Sequence, residues 1–162
     1  MNLYLYIQML FIQMNIEELL KTNNMPEIKK LVLNIIVTAN YLNERLADIL
    51  KPYDISSQQF NVLRILRGQK GKPANLSTIQ ERMVSKMSNT TRLVDKLVDK
   101  KLCERIICPS NRRKVEIRIT QDGLDLLKEL DPLVQNHEQD IAKKINEKEI
   151  ISLNTKLNEL RS

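Results

Sequence analysis

Glycine occurs only three times in this chain of 162 residues, histidine once, cysteine twice and tryptophan not at all. With so little glycine there is no Gly-rich loop to cradle a phosphate, and no Gly-x-Ser-x-Gly elbow presents a nucleophile. The lone histidine, His137, has no nucleophile positioned to use it as a base. One histidine without a Cys-x-x-Cys pair also falls short of a structural zinc site. Carboxylates are scattered along amphipathic segments, where solvation is their ordinary fate. The chain is therefore expected not to be an enzyme and to carry no metal or cofactor.

Aromatic residues are 4% of the chain, and the abundance of Leu, Ile, Lys, Asn and Glu favours helices over a large sheet. Hydrophobic residues at 42% argue for folding rather than disorder. The first sixteen residues, "MNLYLYIQMLFIQMNI", have no charged side chain. Asn2, Gln8, Gln13 and Asn15 interrupt them, and they fall short of the roughly 20 apolar residues that span a bilayer. They lack the basic start and cleavage site of a secretory signal. Leu3, Ile7, Leu10 and Met14 recur at helical spacing, so the stretch reads either as a packed helix or as an extension ahead of a start at Met14. A cytoplasmic protein with no membrane partner is expected. Cys103 and Cys108 would lie roughly 17 Å apart in a strand and on opposite faces, beyond disulfide reach. They read as small apolar residues of a reduced protein, with redox sensing as the alternative.

What the chain does have is positive charge in one place. Of its net +6, residues 85–120 contribute ten Lys/Arg against four Asp/Glu, whereas residues 121–162 contribute six against nine. Charge kept for solubility would be spread more evenly. Localised positive charge suits a polyanion, because each phosphate neutralised releases condensed counterions.

Apolar residues at helical spacing predict a long helix across residues 26–51, opened by Pro26. A second helix is expected across residues 57–67 with Phe60, Leu63, Ile65 and Leu66 inward, ended by "GQKGKPAN". Asn75 caps a third, short helix holding Leu76, Ile79 and Met83. After a turn at residues 85–87 a fourth runs to about Lys101. Val115, Ile117 and Ile119 then alternate with Glu116 and Arg118 at strand period, "LCERII" is also strand-like, and Pro109, Ser110 and Asn111 are turn formers. So "CPSNRRKVEIRI" reads as a hairpin with a cationic tip. Thr120 caps a helix continuing through Pro132, with a bend expected there. Asn146 and Glu149 have capping-box spacing ahead of the last helix.

Two short helices joined by a tight turn and followed at once by a basic hairpin make a winged helix-turn-helix. In that arrangement the second helix enters the major groove of DNA and the hairpin reaches an adjacent groove. On the fourth helix Thr90, Val94, Leu97 and Val98 form an inward stripe with Leu93 beside it, while Ser88, Asn89, Arg92 and Lys96 emerge elsewhere. Arginine bonds bidentately to guanine and asparagine to adenine, and hydroxyls reach bases or phosphate. Asp95 runs against a cationic face and is read as orienting Arg92 or a wing arginine. Taken alone, the segment also fits an ordinary surface helix.

The stretch from Asn75 to Gly123 resembles the MarR family of bacterial transcription regulators: "TRLVDKL" on the fourth helix, "ERI" after it, Asn111-Arg112-Arg113 at the place of the family's Asp-x-Arg wing, an alternating strand and T-x-x-G. The resemblance covers roughly residues 26–160. It implies a class that is mainly α with a small β-hairpin (α+β), a winged helix-turn-helix lobe plus N- and C-terminal dimerisation helices. The boundaries expected are an apolar extension at residues 1–25, a dimerisation helix at 26–55, the winged lobe at 56–120 and C-terminal dimerisation helices at 121–162. It also implies a homodimeric regulator, taken as a repressor, reading double-stranded DNA at pseudo-palindromic half-sites about 34 Å apart. Leu42, Leu46, Ile150, Leu153, Leu157 and Leu160 would supply its apolar seam; packing within one chain is the alternative.

Carried over by position, Ser88, Asn89, Thr91, Arg92 and Lys96 would face the major groove. Arg113 would be the wing arginine, flanked by Arg112 and Lys114, and Asn75 and Ser77 would lie near backbone phosphate. Asn111 stands where the family most often has aspartate, which weakens any ion pair within the wing. Lys101 replaces the common glycine after the recognition helix, so a different cap geometry is expected there. Many members also bind a small phenolic or other aromatic effector; Tyr41, Tyr53, Phe60 and His137 are candidate lining residues, with core or surface positions as the alternative. The competing function is a winged-helix module that docks protein or RNA without operator specificity.

Overall fold

The computed structural model describes residues 14–107 and 115–162. The chain divides into two units, residues 1–45 and residues 46–162. In the first unit a single turn of helix, α1 (Ile16–Leu19), is opened by a capping box in which Asn15 accepts the Glu18 N–H and Glu18 accepts the Asn15 N–H, both at 3.0 Å. Glu17 accepts the Met25 N–H at 2.7 Å and pairs with Lys30 at 2.9 Å. The Pro26 carbonyl then takes the bond from Lys30 N–H that starts α2 (Glu27–Leu50). Along α2, Ile28, Leu31, Val32, Ile35 and Ile36 are exposed. The helical expectation for Leu3, Ile7 and Leu10 lies outside the described residues.

In the second unit a 3-10 turn (Lys51–Tyr53) ends α2, and α3 (Ser57–Arg67), α4 (Leu76–Arg82) and α5 (Thr90–Asp99) follow. Strands β1 (Cys103–Ile107) and β2 (Val115–Ile119) pair antiparallel with Cys103 opposite Ile119 and Arg105 opposite Ile117. Helices α6 (Gln121–Ala142) and α7 (Glu147–Glu159) complete the order read from the sequence, and α6 runs through Pro132. The caps anticipated at Asn75, Thr120 and Asn146 all form, each side chain accepting the N–H three residues on.

The core is built around α3. Val62 and Leu63 are fully buried with Ile79 of α4, Val94 and Leu97 of α5, Ile117 of β2, and Leu127 and Leu130 of α6. Each such side chain contributes about 1.5–3 kcal/mol on burial. Arg67 adds two N–H···O bonds to Asp131 of α6, at 2.5 and 3.0 Å. Besides the short turns α1 and Lys51–Tyr53, the sequence reading missed a bridge: Ala74, in the glycine- and proline-containing turn, pairs with Ile117 through N–H···O bonds of 2.8 and 2.7 Å. A one-residue bridge has no periodicity to detect.

The end of α5 corrects an expectation. Lys101 was expected to alter the cap where glycine is common, yet it takes the left-handed conformation itself, at φ 59°. Its N–H donates to Val98 O at 2.8 Å and the Leu102 N–H to Leu97 O at 2.9 Å, the bond pair of a Schellman cap. The Thr120 hydroxyl donates to the Lys101 carbonyl at 2.7 Å, so the cap is braced from the far end of the hairpin. A side chain in that conformation is strained by roughly 1 kcal/mol. Lys101→Gly is therefore expected to stabilise the fold by up to about 1 kcal/mol, less what glycine adds to unfolded-state entropy. Urea unfolding checks this: a lowered midpoint would show that the strain is smaller than the entropy glycine adds to the unfolded chain.

Candidate nucleic-acid interface

Helix α5 is held from behind. Thr90, Val94 and Leu97 are buried, and the Thr90 hydroxyl donates to the Gln80 side-chain oxygen on α4. The Gln80 amide nitrogen donates to the Lys86 carbonyl at 2.6 Å, and the Val84 N–H to Asn61 of α3 at 3.0 Å. One glutamine thus ties α4, the turn and α5 together. The face left over carries Asn89, Thr91, Arg92 and Lys96, all exposed, with Ser88 half-buried. Ser88, Asn89, Arg92 and Lys96 line one groove of about 300 Å³ with Leu93 and Gln58. Gln58, from α3, was missed in the sequence because nothing in its own helix marks it.

The Asn89 side chain has a local partner in its own helix. Its side-chain oxygen accepts the Arg92 N–H at 3.1 Å as the N-cap of α5. The adenine pairing, which needs both oxygen and nitrogen, would have to compete with the cap for that oxygen. Asn75 is likewise a cap, accepting the Thr78 N–H at 2.8 Å and the Ser77 hydroxyl at 2.6 Å. Asp95 pairs not with Arg92 but with Arg105 on β1, which ties the exposed side of α5 to the wing. Both partners are partly solvated, so the pair positions more than it stabilises. Arg112, Arg113 and Lys114 lie outside the described residues.

At its other end α5 is anchored by Lys100, whose ammonium donates to the Asp54 carboxylate at 2.7 Å and to the Asp54 carbonyl. The hydrogen bond from Lys100, then its charge, lowers the Asp54 pKa. Cys103 is buried, and burial pushes its thiol up to about 12. It therefore stays protonated near neutral pH, as an apolar strand residue would. Cys108 lies outside the described residues.

The four residues considered for an effector have varied surroundings. Phe60 is a core residue with the Arg64 guanidinium 5.7 Å from its ring centre, and Tyr53 packs against the same core. His137 is half-buried on α6, and Tyr41, half-buried on α2, belongs to the first unit. None of them lines the larger cleft beside α5, about 680 Å³, whose walls include Asp48, Lys51, Gln59, Lys96 and Asp99. Among the described residues there is no cluster of metal-ligating side chains, and no helix is long and apolar enough to cross a membrane.

Comparison with known proteins agrees with this geometry. The MarR family model matches residues 55–115. The HTH-type transcriptional regulator MhqR of Bacillus subtilis (strain 168) is 28% identical over 106 residues, which cover 64% of this chain and 72% of that protein. A mutant MarR from E. coli crystallised with operator DNA is 25% identical, with a TM-score of 0.72 over 86% of this chain and 99% of its own. A MarR transcription factor from Planctomyces limnophilus is 31% identical, with a TM-score of 0.63 over 85% of this chain and 98% of its own. An identity of that level across nearly the whole relative, joined to the family model over the winged lobe, shows that the chain belongs to the MarR family.

Proposed function

We propose that the protein is a sequence-specific DNA-binding transcriptional regulator. It acts as a homodimer on a pseudo-palindromic operator, with α5 in the major groove and residues 109–114 in the minor groove. The observation that carries this reading is the polar and cationic face of α5, left exposed while its other face is buried and braced. The operator-bound E. coli relative supports the same use of the fold. Arg92 and Lys96 read or steer toward bases, Ser88 and Thr91 supply hydroxyls, Asn89 orders the helix start, and Asn75 and Ser77 sit near phosphate. Arg112, Arg113 and Lys114 are assigned to the wing on sequence alone. Repression is the expected sign, the cytoplasm the site of action, and catalysis has no part in it.

Dimerisation is favoured by what a single chain leaves uncovered. Helix α7 has no buried residue, and Ile151 and Leu153 on it and Leu160 at its C-cap are at least half exposed. An effector that loosens DNA belongs to the same reading. The cleft beside α5 favours it, since the buried Gln59 side-chain nitrogen on its wall has no hydrogen-bond partner.

Arg92→Ala tests the major-groove assignment. It is expected to cost about 1–3 kcal/mol of operator binding and to flatten preference at the bases it reads. Wild-type affinity and an unchanged base profile in a titration would remove α5 from the role. Binding that favours RNA or protein over duplex DNA would support the docking-module alternative instead.

A further inference from the structure

Val84 and Met87 are the most exposed large apolar side chains among the described residues, at 88% and 95%. Both lie in the turn between α4 and α5. The other large apolar residues of this helix-turn-helix, Leu76, Ile79, Met83, Leu93, Val94 and Leu97, are buried or packed on the core. The turn is also pinned: besides the bonds from Val84 to Asn61 and from Gln80 to Lys86, the Ser88 N–H donates to Ser85 O at 3.3 Å. The charge of Lys86, between the two, is drawn back onto the Glu81 carbonyl. A braced turn thus holds two apolar groups in water, where they add nothing to the stability of the lobe.

Resting on the reading of α5 as the recognition helix, we propose that Val84 and Met87 are specificity-determining contacts for the 5-methyl groups of thymine. The methyl is the apolar group that the major groove displays, and it alone separates thymine from uracil. The hydrogen bonds that side chains such as Ser88 and Arg92 make do not sense it. Met87 directly precedes Ser88 and Asn89 at the start of α5, where the helix end would meet base edges. A flexible thioether suits a contact that must adapt to the groove wall.

The test uses the full chain and a duplex that it enriches from a random-sequence pool. Thymines in each half-site are replaced singly by deoxyuridine, which deletes the methyl and leaves pairing intact. Wild type is expected to lose about fourfold in affinity for each methyl it fully buries. The double variant Val84→Ser, Met87→Ser, placed on exposed sites and stripped of methyl and thioether, is expected to bind the thymine duplex severalfold more weakly and to be indifferent to deoxyuridine. Wild type that ignores every substitution overturns the proposal while leaving operator reading intact. So does a double variant that still senses the methyls. A pool that yields no enriched sequence overturns the operator reading, and this inference with it.

Discussion

Replacing both Leu153 and Leu160 by aspartate is expected to turn the dimer into monomer and to lower operator affinity by a factor of about 10² or more. The size of the effect comes from lost bivalency. Two winged units on one dimer make the second half-site an intramolecular encounter, and a monomer must pay for each separately. The substitutions should not disturb the winged unit, because Leu153 on α7 and Leu160 at its C-cap are 50% and 57% exposed, and no residue of the helix is fully buried. Four aspartates in the assembled seam, by contrast, would be desolvated without partners. Sedimentation equilibrium and a binding titration on the same preparation check both halves. A variant that sediments at the wild-type mass would take α7 out of the interface. A monomer that keeps wild-type affinity would contradict two-fold reading.

Gly123→Ala is expected to destabilise the second unit by about 1–3 kcal/mol or more, an overpacking cost in a place with little room to relax. A Cβ there would sit 2.2 Å from the Leu102 carbonyl oxygen and 2.8 Å from an Ile119 side-chain carbon. The oxygen is backbone, so it cannot move aside as a side chain would. Leu102 follows the strained Lys101 and also accepts the Thr120 N–H at 3.2 Å, while the Gly123 N–H donates to the Thr120 hydroxyl at 3.2 Å. The start of α6, the base of the hairpin and the cap of α5 thus meet at one point. Displacing Gly123 should loosen α5 against the wing, so thermal unfolding would shift down by several degrees and operator affinity would fall with it. An unchanged melting temperature would show that the junction yields easily.

The parts of the fold legible in the sequence were those set by local chemistry. Asn75, Thr120 and Asn146 announced their helices because a short polar side chain reaches an N–H three residues on, a relation contained in four residues. The inward stripe of α5 was legible from its period. What escaped depended on where distant residues meet. The Ala74 bridge joins a loop to β2, and of the two partners weighed for Asp95, Arg92 or a wing arginine, only the fold selects the hairpin, through Arg105 on β1. The Asn89 side chain could be assigned to a base or to its own helix, and residue type could not decide between them. Lys101 misled because the braced cap outweighs the preference of its own backbone. Phe60, weighed as a ligand contact, lies at a helical period that serves the core.

The most direct measurement of the central claim is an equilibrium titration of the full chain at physiological salt. It compares the enriched duplex with a scrambled duplex of the same length and composition. Sequence reading by α5 predicts a preference of about 10³ or more, reduced when Arg92 is replaced by alanine. Equal affinity for the two duplexes, with only a shared salt dependence, would reduce the protein to a nonspecific polyanion binder and contradict the account.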